Sequence, residues 1–172
     1  MTTSSPPAAD TGPSAARVRH ALGHFATGVT VVTSLSLAGE PVGTTASAVS
    51  SLSLQPPLLL VCLDRASQTL EAIQAHGAFA INVLAEGQQK MSGNFARRGA
   101  AVSWETVGHR RGRTGSPRLD DVVAVLDCRL RDCLDGGDHE IVVGRLEELE
   151  LGHPDQAPLL HYRGAYASLR AA

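Results

Sequence analysis

The segment Asp135-Gly136-Gly137-Asp138 separates two long strand-like runs, Asp121 to Leu134 and His139 to Leu151. It constrains the fold more than any other feature. A short Gly-rich break between such runs is a hairpin turn, so the two runs pair antiparallel. A second break, Ala38-Gly39-Glu40-Pro41, joins Gly28-Val29-Thr30-Val31-Val32-Thr33 to a further extended segment. Gln55-Pro56-Pro57 leads into Leu58-Leu59-Leu60-Val61-Cys62-Leu63, and six apolar residues in succession predict a strand covered on both faces. Ala78 to Leu84 and Leu159 to Tyr162 read as further strands.

Helical spacing is brief. Val18, Leu22 and Phe25 fall on one helical face after Ser14, a suitable N-cap, and Gly28 ends that segment. Ser67 to His76 reads as a helix with Leu70 and Ile73 inward and Gly77 closing it. Glu86 to Arg97 also reads as helical, and Gly108 to Arg118 reads as a Gly- and Arg-rich loop. Strands joined by short turns with few helices do not make a βαβ array. They predict one mainly β domain, a closed or partly closed antiparallel barrel.

The 172 residues suit a single domain over residues 14–172, preceded by a Ser/Thr/Pro/Ala-rich tail over 1–13 that is expected to be disordered. A formal net charge of −2 argues against a nucleic-acid or anionic-membrane binder, since both need a basic surface. No apolar run approaches a bilayer span, and the N-terminus lacks the features of a secretory signal. Cys62, Cys128 and Cys133 are odd in number and suggest a reduced, cytoplasmic protein. Of fifteen basic residues only Lys90 is lysine, which points to coding bias, so only arginines in a specific context carry weight.

The densest polar signal is Thr44-Thr45-Ala46-Ser47-Ala48-Val49-Ser50-Ser51-Leu52-Ser53, where six of ten residues carry hydroxyls and none is charged. Small hydroxyls let a backbone approach a ligand closely and offer donors to phosphate or to a heteroaromatic edge. A solvated Ser/Thr-rich edge strand is the plain alternative. Asp64-Arg65-Ala66-Ser67-Gln68-Thr69 opens a predicted helix, where amide donors, hydroxyls and a guanidinium suit an anion; simple capping by Ser67 is the alternative. His139, after Gly136-Gly137-Asp138, sits where it could bond a carboxamide or move a proton, or merely meet water. His161-Tyr162-Arg163-Gly164-Ala165-Tyr166 offers rings and a cation for stacking and phosphate pairing, or edge-of-core filler.

Other chemistries fail on pattern. His20 and His24 lack the acid of a zinc-binding H-E-x-x-H, and no metal site is expected. Cys128 and Cys133 are five apart on a strand, so their side chains are expected on opposite faces. No G-x-G-x-x-G, Walker or G-x-S-x-G sequence occurs, which disfavours Rossmann, P-loop and α/β-hydrolase enzymes.

In order, Gly28-Val29-Thr30-Val31-Val32-Thr33, Gly43-Thr44-Thr45-Ala46-Ser47, Ser51-Leu52-Ser53-Leu54-Gln55-Pro56-Pro57-Leu58, Cys62 to Thr69, Phe79 to Leu84 and Gly137-Asp138-His139 resemble the short-chain NAD(P)H:flavin reductases. These are the reductase partners of two-component flavin monooxygenases. The resemblance runs over about residues 17–168. It implies a six-stranded antiparallel split β-barrel with Greek-key connections, dimerising and binding FMN or FAD at the subunit interface. It further implies NADH or NADPH as hydride donor, and a separate monooxygenase that receives the reduced flavin.

Carried over by position, Thr44, Thr45, Ala46 and Ser47 would meet the isoalloxazine edge and ribityl chain, with Val29 and Thr30 alongside. Ser50 and Ser51 would lie toward the phosphate. Cys62, Leu63, Asp64, Arg65 and Ser67 would complete the ribityl and phosphate wall, near Phe95, Ala96 and Arg97. His139 would hold the nicotinamide, and Arg163 and Tyr166 would assist the dinucleotide. Ala48 stands where the family often has Ser or Asn, and Gln55 where it often has an acid. The rival readings are another split-barrel flavoprotein oxidase of the pyridoxamine-phosphate oxidase kind, and a non-catalytic flavin-binding protein.

Overall fold

Strand-forming runs dominate the computed structural model, which describes residues 12–97 and 102–169. The tail expected over 1–13 falls, apart from Gly12 and Pro13, outside the described residues. Helix α1 (Ala15–Leu22) leads into β1 (Thr27–Gly28), β2 (Thr30–Leu35), β3 (Pro41–Ala46), β4 (Val49–Leu54) and β5 (Pro57–Asp64). Helix α2 (Gln68–His76), β6 (Ala78–Val83), α3 (Gln89–Phe95) and a single 3₁₀ turn (Trp104–Thr106) follow. The chain finishes with β7 (His109–Arg111), β8 (Pro117–Leu119), β9 (Ala124–Gly136), β10 (His139–Leu151), β11 (Leu160–Tyr162) and β12 (Ala165–Ala167).

Seven strands form one sheet in the order β3-β2-β6-β9-β10-β5-β4, each neighbouring pair antiparallel. Its two edge strands, β3 and β4, are joined by only Ser47 and Ala48. A two-residue link between opposite edges forces the sheet to curl until those edges approach, yet no ladder joins them. The sheet thus has seven strands and no ladder between its edges, where six strands in a split barrel are expected from the resemblance. The hydroxyl-rich run breaks at Ser47-Ala48, and its second half pairs with β5 instead of continuing β3. The mainly β character stands.

Inside the curl, Val32, Ala46, Val61, Leu63, Phe79, Ile81 and Val142 pack with Leu70 and Ile73 of α2. On the opposite side Val31, Leu84, Phe95, Leu119, Val125 and Leu159 form a second cluster. Along β5 only alternate residues, Leu59, Val61 and Leu63, are fully buried, so the apolar run is covered completely on one face and half-covered on the other. Gly77 takes φ 73° and ends α2 with its N–H on the Ile73 carbonyl, as a left-handed C-cap does. Helix α1 ends at Leu22, short of the expected span, and buries no residue; its Val18 and Leu22 are exposed, as is Phe25 beyond its end. The segment read as a loop over Gly108 to Arg118 is the β7–β8 hairpin. Thr114 fastens it through its amide and hydroxyl to the buried Asp127 carboxylate.

The β9–β10 ladder slips twice, at Arg131 and at Glu147, each an extra residue on one strand. The slip at Arg131 falls between Cys128 and Cys133 and resets the alternation. Both thiols consequently face the same core cluster, which corrects the expectation of opposite faces.

Burial, with the nearby Asp127 and Glu147 charges, pushes the Cys128 thiol from its ordinary 9.0 up to about 12. The unfolded thiol ionises first, so this contribution is intact below pH 9.0 and is lost as pH rises toward 12. Stability should fall by at most about 1.4 kcal/mol per pH unit from this group. Denaturant midpoints measured across that range should slope less steeply for Cys128→Ala than for the natural chain; parallel slopes would refute the assignment.

Candidate functional site

A cleft of about 650 Å³ opens where the curled sheet brings the end of β3 toward the end of β5. One wall is the β3 backbone and its exit turn, Gly43, Thr44, Thr45, Ala46, Ser47 and Ala48. A second is Cys62, Leu63 and Asp64 of β5, with Ser67, Gln68 and Thr69 at the start of α2. Phe95, Ala96, Arg97, Val102 and Trp104 form the third, and His139, the first residue of β10, completes the lining.

Each wall has a local cause. The Thr30 hydroxyl donates to the Ala46 carbonyl at 2.7 Å and fixes the exit of β3. The Thr45 hydroxyl donates to the Ser92 carbonyl at 2.7 Å, and the Tyr166 hydroxyl bonds the Ser92 hydroxyl at 3.1 Å. Helix α3 is thereby fastened between β3 and β12. Gly43 carries no side chain, so the Phe95 ring lies directly on the strand; a Cβ there would sit 2.9 Å from that ring. Trp104 meets Phe95 edge-on at 5.2 Å between ring centres and His109 at 5.0 Å. Asp64 accepts the Ala66 amide at 2.8 Å, turning the chain into α2. The first amides of a helix have no partner within it, and they carry its positive dipole end.

Of the positions marked in the sequence, Thr44, Thr45, Ala46, Ser47, Cys62, Leu63, Asp64, Ser67, Phe95, Ala96, Arg97 and His139 all line this cleft. Val29 is buried in the second core cluster, and Thr30 stands behind Ala46. Ser50 and Ser51 are exposed on the edge strand β4. Arg163 sits in the β11–β12 turn at φ 52°, and Tyr166 reaches α3 instead of the cleft. Arg65 points its guanidinium at the β9–β10 turn. Gln68 and Thr69, which also line the cleft, belong to the Asp64–Thr69 segment expected to suit an anion, whereas Val102 and Trp104 lie outside every segment singled out in the sequence. Trp104 is the chain's single tryptophan, and that rarity was the one available signal.

Among the described residues, Asp64 and Arg97 are the charged lining side chains besides His139, whose Nδ1 lies 2.7 Å from an Asp138 carboxylate oxygen. Hydroxyls at Thr44, Thr45, Ser47, Ser67 and Thr69 are interspersed with apolar side chains in the remainder, so the cleft suits a ring with a polar edge better than it suits hydrolysis. Among the described residues, no three His, Cys, Asp or Glu side chains gather as a metal site. No described helix is long and apolar enough to cross a membrane.

Comparison with known proteins gives this cleft a context. The chain is 45% identical over 159 residues to a probable flavin reductase of Rhizobium meliloti, covering 90% of this chain and 49% of that protein. It thus spans about half the length of that relative. It is 39% identical over 157 residues to the reductase subunit of a flavin-dependent monooxygenase of Rhodococcus jostii, covering 89% and 77%. Among solved structures, a Streptomyces globisporus NADH:FAD oxidoreductase in complex with NAD and FAD fragments has a TM-score of 0.83 at 34% identity, covering 91% of this chain and 92% of that one. The family model described as "Flavin reductase like domain" matches residues 22–170, nearly the whole span from α1 to β12, and the protein belongs to that family.

Proposed function

We propose that the protein is an NAD(P)H:flavin oxidoreductase that moves a hydride from reduced nicotinamide to FMN or FAD and supplies the reduced flavin to a separate monooxygenase. The observation that carries this reading is the cleft itself: a wall of uncharged hydroxyls and amides facing a helix start, with one histidine at the lining. Its volume of about 650 Å³ lies in the range of sites that take drug-sized ligands. The donor set also fits a flavin, having amides and hydroxyls for a polar ring edge and the α2 start for a phosphate.

When bound, the flavin supplies the hydride acceptor and the nicotinamide the donor. The chain's own work is binding and orientation. Thr44, Ser47 and the neighbouring amides offer donors to negative charge arriving on the acceptor ring. Ser67, Thr69 and Arg97 are available to hold phosphate, and Phe95 with Trp104 forms an aromatic wall that excludes water. His139 is placed to hold the nicotinamide carboxamide. Val29 and Thr30 act one layer behind, and Ser50, Ser51, Arg163 and Tyr166 lie outside this wall, on surfaces a second copy could bring to it. Exposed Leu52 and Leu54 on β4, with the bare α1 face, support a homodimer with split-barrel closure. Three free thiols accord with a cytoplasmic setting.

Oxidation of NADH and NADPH should depend on added flavin when FMN, FAD and riboflavin are compared side by side. Fluorescence of Trp104, the single tryptophan, should be quenched saturably by flavin. Absence of both turnover and quenching sinks the reading.

A further inference from the structure

We propose that Arg65 is a positioning residue, clamping the β9–β10 turn so that His139 is held at the cleft; this rests on the reading of His139 given above. The Arg65 Nε donates to the Gly137 carbonyl at 2.7 Å, Nη1 to Glu140 at 2.9 Å and Nη2 to Asp135 at 2.5 Å. Its own amide donates to the Asp138 carbonyl at 3.1 Å. One side chain therefore grips both strands of the turn and its tip. The ladder with β5 reaches only as far as His139 opposite Asp64, so the turn beyond it has no sheet partner on that side. Arg65 extends the grip past that last rung.

Two further contacts stiffen the same unit. The Gly137 amide donates to the Asp135 carboxylate at 3.0 Å, and Gln74 of α2 donates to the second Glu140 oxygen at 2.9 Å. The Gly137 amide and the Arg65 guanidinium hold the Asp135 carboxyl below the usual carboxylate range, so it stays ionised at ordinary pH. Side chains this exposed, 44% for Arg65 and 82% for Asp135, add little to global stability. What a planar, multidentate guanidinium supplies here is geometry, and a lysine ammonium cannot reproduce three diverging donors in one plane. His139 is flanked by two of the clamped residues, Asp138 and Glu140.

The test compares Arg65→Ala, Arg65→Lys, His139→Ala and the Arg65→Ala/His139→Ala pair. Readouts are steady-state constants, flavin affinity, thermal midpoint and amide hydrogen exchange over residues 135–140. Arg65→Ala should speed exchange in that turn and raise the KM for NADH about tenfold. Flavin affinity and thermal midpoint should stay near their original values, and Arg65→Lys should behave like Arg65→Ala. On the His139→Ala background, adding Arg65→Ala should change the NADH constants no further. Unchanged exchange and KM in Arg65→Ala, with His139→Ala impaired, overturns the clamp alone. Loss of flavin affinity in parallel also overturns it, by making Arg65 a direct ligand. If His139→Ala leaves the NADH constants untouched, the reading of His139 fails and the proposal fails with it.

Discussion

Gly144→Val should remove a large part of the stability of the fold. Gly144 lies on β10 between Leu59 of β5 and Leu130 of β9, in the centre of the sheet. A Cβ at this position would sit 2.5 Å from the tip of the Phe79 ring and 3.1 Å from the Cys128 Cβ. Both neighbours are wholly buried members of one core cluster, so neither has solvent to move into. Overpacking of this kind typically costs about 1–3 kcal/mol, and valine adds two methyls beyond the clashing atom. A loss near about 3 kcal/mol is a large part of a domain stability of about 5–15 kcal/mol. Denaturant midpoints check the size of the effect. Adding Phe79→Leu to Gly144→Val should restore part of the loss, because the clash is with that ring. An unchanged midpoint in Gly144→Val alone would show that the ring has room to yield.

The features legible in the sequence are those fixed by local backbone chemistry. Asp135-Gly136-Gly137-Asp138 announced its hairpin because Gly137 must adopt φ 81°, and β10 runs over His139–Leu151 as read. Gly77 announced the end of α2 for the same reason. The apolar spacing of Leu70 and Ile73 was legible because burial on one helical face leaves a period. Of the uncharged hydroxyl run, residues 44–48 line the cleft, whereas Ser50, Ser51 and Ser53 lie on β4.

What stayed hidden depends on contacts distant in sequence. The slips at Arg131 and Glu147 leave no mark in composition, yet the first decides which way Cys133 faces. The division of residues 44–53 between two edges of a curled sheet follows from pairing with β5, which no local pattern records. Strands of three residues, such as β7 and β8, are too short to show alternation. Arg65 looked like a phosphate ligand because it precedes a helix. Its carboxylate partners, Asp135 and Glu140, lie more than sixty residues further along the chain. Trp104 opens a single 3₁₀ turn, too short to show periodicity, and lines the cleft packed on Phe95 and His109.

That packing sets the largest functional effect expected of a single change, Gly43→Val. The Phe95 ring occupies the space a side chain at position 43 would need, with a built Cβ at 2.9 Å and 3.1 Å from two ring carbons. The same Cβ would lie 3.2 Å from the Val32 carbonyl, so the strand cannot retreat and the ring must move. Phe95 is buried, and Trp104 leans on its edge, so displacement of one shifts the other. Both rings belong to the wall of the cleft opposite β5. A displacement of about 1 Å in a positioning wall is enough to weaken an oriented reaction on the order of a hundredfold. Flavin-dependent NADH oxidation should fall by that order, with a raised flavin KM and a weakened quench of Trp104 fluorescence. The Gly43→Val/Phe95→Leu pair should recover flavin affinity in part, since the smaller side chain relieves the contact with valine. A Gly43→Val protein that melts earlier yet binds and reduces flavin as before would make this wall a matter of stability and not of catalysis.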